Sequence, residues 1–190
     1  MDMTDSQRIA APRETVWAAL NDPEVLKQCI PGCQEIEKTS DTEMTAKVTL
    51  KIGPVKATFN GKVTLSDLDP PNGYVISGEG AGGAAGHAKG SAKVDLEAVE
   101  GADGSEETIL HYDVKAQVGG KIAQLGGRLI DATAKKLAGE FFTKFGEVVA
   151  PPPPEQEGEA ISGTSGEDAP KKGWFSGVFG KKGKEAPAAE

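Results

Sequence analysis

Two cysteines, Cys29 and Cys33, are all that 190 residues contain, too few for a disulfide framework. Their C-x-x-x-C spacing supplies two of the four ligands a structural zinc site needs. The only histidines, His87 and His111, lie far away in sequence, so no metal centre is expected. Cys29 reads as a buried thiol and Cys33 as a turn thiol, with a redox or metal role as the alternative. Basic residues are in deficit: 21 Lys and Arg against 29 Asp and Glu leave a net charge of −8, which argues against nucleic-acid binding. No run approaches the ~18 apolar residues of a spanning helix. The opening MDMTDSQ is acidic and lacks the apolar core of a signal peptide. A cytoplasmic protein is expected. No P-loop, nucleophile-elbow or HExxH pattern is present, and both histidines fall on alternating segments without an obvious carboxylate partner. They read as surface or rim residues, and an enzyme is not expected.

Aromatics are also scarce, at 5% of the chain, yet three of them gather near its end. Trp174, Phe175 and Phe179, with Val178, sit between Lys171-Lys172 and Lys181-Lys182. Rings that enter a headgroup boundary, flanked by lysines that meet anionic lipid, are the chemistry of reversible membrane attachment. The preceding spacer opens with four prolines and carries Glu155, Glu157, Glu159, Glu167 and Asp168 without a basic residue, a composition that stays disordered. Its reach as a coil is roughly 25 Å. Three regions follow: a folded domain over 1–149, an acidic proline-rich linker over 150–170, and a basic-aromatic membrane-binding tail over 171–190. The expected location is the inner face of the cell membrane, peripherally.

Within the domain, Thr4 to Ala10 suggests a first strand. Pro12 suits a first helical position, followed by the apolar side Val16, Trp17 and Leu20. Asp22-Pro23-Glu24 repeats that grammar as cap, proline and acid, and Pro31-Gly32 ends the second short helix. From Gln34 the hydrophobic period becomes two. Ala46, Val48, Leu50 and Ile52 alternate with polar residues, as do Val55, Ala57, Phe59, Gly61, Val63 and Leu65 after the Gly53-Pro54 turn. Further strands are read over 74–80, 86–96 and 108–118. Lys121 to Val149 then carries one long helical pattern through Ile122, Leu125, Leu129, Leu137, Phe141 and Phe145. The class is α+β, with a strongly curved antiparallel sheet of six or seven strands around a C-terminal helix.

Bulk is missing from both facing surfaces of this arrangement. Strand alternation places Gly78, Gly80, Gly82, Gly86, Ala88, Gly90 and Ala92 on one face, and the helix carries Ala123, Gly126, Gly127, Ala134 and Gly139. Because interiors are close-packed, either helix and sheet approach very closely or a cavity remains, and an apolar cavity suits a lipophilic guest. Residues 78–83 also match the GxGxxG dinucleotide fingerprint. That motif must open a helix, whereas the following residues alternate as a strand, so the glycines are expected to serve curvature or close approach. The cationic residues Lys121, Arg128, Lys135, Lys136 and Lys144 read as a solvated helix face, with Asp131 spaced to pair with Arg128 and Lys135 and a docking surface for an acidic partner as the alternative.

Several stretches together resemble the G-subunit family of carbon monoxide dehydrogenase: Asp22 to Leu26 running into CIPGC at 29–33, Lys51-Ile52-Gly53-Pro54 followed by Phe59-Asn60-Gly61, Gly86 to Ala92, and GGKIAQLGGRLIDATAKKLAGEFFTKF at 119–145. The resemblance covers residues 1–149. It implies a branch of the START-like, helix-grip superfamily, and an accessory protein that recruits a molybdenum hydroxylase of the aerobic carbon monoxide dehydrogenase type to the membrane and couples it to the respiratory chain. The expectation is a carrier for a lipophilic quinone, menaquinone or ubiquinone, held in a cavity lined by Phe59, Gly78, Gly80, Ala88, Gly90, Tyr112, Leu125, Gly126 and Leu129. Two rivals share the fold: a membrane-anchoring adaptor with a filled core and no ligand, and a cyclase- or hydratase-like enzyme with a titrating group in its cavity.

Overall fold

The structure is a computed structural model, and it describes residues 1–150. The acidic linker, apart from Ala150, and the basic-aromatic tail lie outside the described residues.

Strand β1 (Asp2–Ile9) is followed by helices α1 (Arg13–Leu20) and α2 (Pro23–Cys29), then by strands β2 (Cys33–Lys38), β3 (Glu43–Ile52), β4 (Val55–Asp69), β5 (Gly73–Ala81), β6 (His87–Glu100) and β7 (Glu106–Gly119), and finally by helix α3 (Gly127–Val149). The seven strands form one antiparallel sheet in the order β1-β7-β6-β5-β4-β3-β2. Chain neighbours from β2 to β7 are therefore sheet neighbours, and β1 closes the far edge beside β7.

Local chemistry sets the helix ends. The Asp22 carboxylate accepts the Glu24 backbone N–H at 2.9 Å, and Pro23 opens α2, so one exposed donor is satisfied and no donor is lost at the first position. Pro12 stands one place earlier than the sequence suggests: it precedes α1 in extended backbone, at φ −59° and ψ 150°. The long C-terminal helix of the sequence reading is in fact two elements. Gly120–Leu125 forms a 3-10 turn, and Gly126, at φ +90°, separates it from α3. A positive φ is open to glycine without steric cost, so the chain changes direction there instead of continuing as one helix.

The main core gathers where α1, α2 and the C-terminal half of α3 meet the sheet. Phe145 and Val16 are fully buried, and Leu110, Leu96, Val94 and Tyr74 pack with them. Trp17 meets Tyr74 edge-on at 5.3 Å, and Tyr112 stacks on Phe142 at the same separation. Burying each large side chain contributes about 1.5–3 kcal/mol. The buried Thr108 hydroxyl donates to the Ala11 carbonyl at 2.7 Å, so its polar group carries no desolvation penalty unmet. A smaller cluster of Phe59, Ala85 and Ile122, flanked by Leu50, Val118 and Leu125, lies toward the other end.

Candidate functional site

The strands that line the interior change in volume along their length. On the inward face β5 runs Tyr74, Ile76, Gly78, Gly80; its partner β6 runs Val94, Ala92, Gly90, Ala88; and β7 runs Tyr112, Val114, Ala116, Val118. Cross-strand register aligns Gly78 with Gly90 and Gly80 with Ala88. Bulk therefore falls away together on adjacent strands, and the space it would have filled is not taken up elsewhere.

An apolar cavity of about 480 Å³ occupies that space. Its sheet wall is Val48, Leu50, Ile52, Phe59, Gly80, Ala88 and Val118. Its helix wall is Leu137, Ala138 and Phe141 with Ile122 of the 3-10 turn, and Ile30 and Pro31 form one lip. None of these side chains is ionisable. A second hollow of about 360 Å³ continues along the same sheet over Gly78, Gly90, Ala92 and Ala116, sharing Gly80 and Ala88 with the first. The first volume falls within the ~300–1,000 Å³ typical of small-molecule pockets. At Gly80 an added methyl would meet only ordinary contacts at 3.8 Å, so the wall there has room to spare. Gly82 differs: a methyl would lie 2.5 Å from the Phe59 ring, so this glycine leaves the ring its place beside the chain.

The expected lining residues divide accordingly. Phe59, Gly80 and Ala88 line the cavity, and Gly78 and Gly90 line its continuation. Leu125 packs in the cluster with Phe59 and Ile122. Leu129 covers Gly53, whose added methyl would fall 2.7 Å from the leucine Cδ2. Neither leucine lines the cavity or its continuation, because both cover the turns beyond its end, and two further positions lie elsewhere. Tyr112 points inward as alternation required, but toward the filled end, against Phe142. Gly126 is exposed, with nothing within 4 Å of an added methyl, because the 3-10 turn does not hold the phase of an α-helix. Val48, Leu50 and Ile52 were legible as an inward face without being assigned to the site. Ile30 and Pro31 carried no local signal for it.

The remaining candidates fall away from the cavity. The GxGxxG residues belong to β5 and to the 3-10 turn Gly83–Ala85, and no α-helix opens there. His87 is exposed with its ring against Gly119. His111 does have a carboxylate partner, contrary to the sequence reading: its Nε2 is 3.1 Å from Glu97, on the exposed side of the sheet. The cross-strand geometry that joins them skips 14 positions and was invisible in the linear pattern. Asp131 forms no ion pair among the described residues, and the pair on α3 is Lys136–Glu140 at 3.7 Å. Burial pushes the Cys29 and Cys33 thiols above their ordinary range, which lowers their nucleophilicity at neutral pH. Among the described residues, no three His, Cys, Asp or Glu side chains group closely enough to hold a metal, and no helix is long and apolar enough to cross a membrane.

Comparison with solved structures places this architecture. A conserved protein from Geobacillus kaustophilus superposes with a TM-score of 0.73 at 31% identity, over 79% of this chain and 95% of that one. A START superfamily protein from Mycobacterium smegmatis gives 0.58 at 14% identity, over 78% and 96%. The Zhui aromatase/cyclase from Streptomyces sp. R1128 gives 0.52 at 15% identity, over 78% and 93%. The last two likenesses are of fold alone. No match was found among curated proteins. The family model for the G subunit of carbon monoxide dehydrogenase (CoxG) matches residues 6–150. With a START-like helix-grip fold and that match across residues 6–150, the chain belongs to the CoxG family, the G subunits of carbon monoxide dehydrogenase.

Proposed function

We propose that this protein is a non-catalytic accessory of a molybdenum-containing carbon monoxide dehydrogenase or a related hydroxylase, and that it carries a lipophilic quinone between the membrane and that enzyme. The observation that carries the reading is the cavity of about 480 Å³ with a wholly apolar lining. The hydrocarbon part of a quinone ring, its two carbonyl oxygens apart, and the first part of an isoprenoid tail are of suitable size for such a space, and transfer from water into it is favoured at about 25 cal/mol per Å² of apolar surface buried. The residues present fit that apolar part. When bound, the quinone would supply electron acceptance, and the chain's own residues would hold it and exclude water.

The Lys171-Lys172 and Lys181-Lys182 pairs, with Trp174, Phe175, Val178 and Phe179, would keep the domain near the cytoplasmic face of the membrane. Replacing Trp174, Phe175 and Phe179 together by Ser is expected to weaken co-sedimentation with anionic vesicles, and high salt is expected to weaken it further by screening the lysines. The quinone reading is tested by extracting the protein, purified from quinone-replete cells, with organic solvent. Isoprenoid quinone detected by mass spectrometry in proportion to protein supports it. Repeatedly empty extracts, with no binding on titration, refute it.

The enzyme rival requires a titrating group at the guest. His87 and His111 both sit away from the cavity, so replacing either by Ala is expected to leave quinone content unchanged.

A further inference from the structure

Charge is spread along the domain as unevenly as volume. Three chain reversals meet at the hollow end: the β3–β4 turn, the β5–β6 connection and the β7–α3 connection. The stretches that cross them, residues 44–66, 80–94 and 114–130, contain no Asp or Glu. They do contain exposed Lys51, Lys56, Lys121 and Arg128. The turns at the opposite end are acidic, with Asp67 and Asp69 in one and Glu100, Asp103 and Glu106 in another.

Contacts bring the cationic stretches together. Leu129, next to Arg128, sits directly on Gly53 of the β3–β4 turn. Leu125, four residues after Lys121, packs in one cluster with Ile52 and Val55. Gly120 and Gly86 approach so closely that a methyl on Gly120 would lie 2.6 Å from the Gly86 Cα. Lys51 and Lys56 face each other directly in the antiparallel register, an arrangement that destabilises a hairpin through like-charge repulsion. None of these four cations enters an ion pair among the described residues. Lys51 and Lys56 flank an exposed Gly53-Pro54 tip, Leu129 beside Arg128 sits on it, and Lys121 lies on the adjoining 3-10 turn whose Leu125 packs in the same cluster as Val55.

Cations around a small apolar tip suit an interfacial lipid surface, where ammonium and guanidinium groups meet headgroups and the tip enters the boundary. We propose that the hollow end of the folded domain is itself a docking surface for an anionic lipid bilayer, with Lys51, Lys56, Lys121 and Arg128 as its headgroup contacts. The proposal rests on the carrier reading for its purpose: it turns the end that holds the cavity toward the layer in which a lipophilic guest resides.

The test uses the full chain and vesicles of phosphatidylglycerol and phosphatidylcholine. Hydrogen exchange is expected to slow on vesicle addition at residues 51–57 and 119–129, and to stay unchanged at 67–72 and 100–106. Reversing Lys51→Glu and Lys56→Glu together is expected to weaken vesicle partitioning roughly tenfold or more. The equally charged control, Lys38→Glu with Lys115→Glu, takes one lysine opposite Met44 and one in mid-strand opposite Ser91, both away from the three reversals, and is expected to change it far less. Equal loss in both variants, or no protection at the turns of the hollow end, would overturn the proposal. So would unchanged vesicle binding combined with lost capture of purified carbon monoxide dehydrogenase, which would assign the surface to an acidic protein. Quinone content is measured on the same preparations. A quinone-free chain with a protected tip keeps this proposal and sinks the carrier reading; a loaded chain with an unprotected tip does the reverse.

Discussion

The two ends of the domain share the same strands, yet one is filled and the other hollow. At the filled end the inward residues are Tyr74, Val94, Leu96, Leu110 and Tyr112, and α3 answers them with Phe142, Phe145 and Val149. At the hollow end the same strands offer Gly78, Gly80, Ala88, Gly90 and Ala116, and the helix answers with Leu137, Ala138 and Phe141. The backbone ladder is continuous through both, from Gly73↔Asp95 to Ala81↔His87. Packing and open volume are thus separated along one sheet. Contacts between large side chains hold the fold at one end, and missing side-chain volume leaves room at the other.

That separation can be broken most forcefully at the filled end. Phe145→Ala removes a fully buried ring and is expected to destabilise the domain by about 3–5 kcal/mol, measured by urea denaturation. A loss below about 1 kcal/mol would mean that this end is not the anchor. Gly126→Ala probes the break between the 3-10 turn and α3. A side chain at φ +90° is expected to cost about 1–3 kcal/mol through backbone strain, although nothing nearby would collide with it. Asp22→Ala removes the cap of α2, the helix that leads into the Ile30-Pro31 lip. It is expected to lower stability by about 1 kcal/mol and to speed amide exchange in residues 24–30.

The smallest stability change sharpens the comparison best. Ala88→Phe introduces a ring where both hollows meet. In a filled core this substitution costs about 1–3 kcal/mol by overpacking; at the hollow end a change under about 1 kcal/mol is expected, read from the same denaturation curves.

The fold was legible because its signals are local and periodic. Alternation over Ala46–Ile52 and Val55–Leu65 gave β3 and β4, and the Asp22-Pro23-Glu24 grammar gave α2 with its cap. What failed was phase. Apolar spacing from Ile122 to Leu129 suits a helix, but the pattern contains no term for Gly126 turning the chain, so the position of Gly126 relative to the cavity was misread. Tyr112 shows a second limit: alternation tells which face a residue takes, not how far along the sheet the filled region extends. The Ile30-Pro31 lip and the His111–Glu97 pair both depend on segments that meet only after folding. The absence of bulk on β5 and β6 was readable, because cross-strand register aligns small residues that each strand carries separately.

The account depends most on whether the hollow end takes up an apolar guest. The direct measurement is equilibrium binding of a menaquinone to the full chain and to its Ala88→Phe variant, with the fold of both verified by denaturation. Saturable binding near one per chain, lost in the variant at nearly unchanged stability, is the expected result. Absence of saturable binding in the parent chain, or equal binding in both, would contradict it.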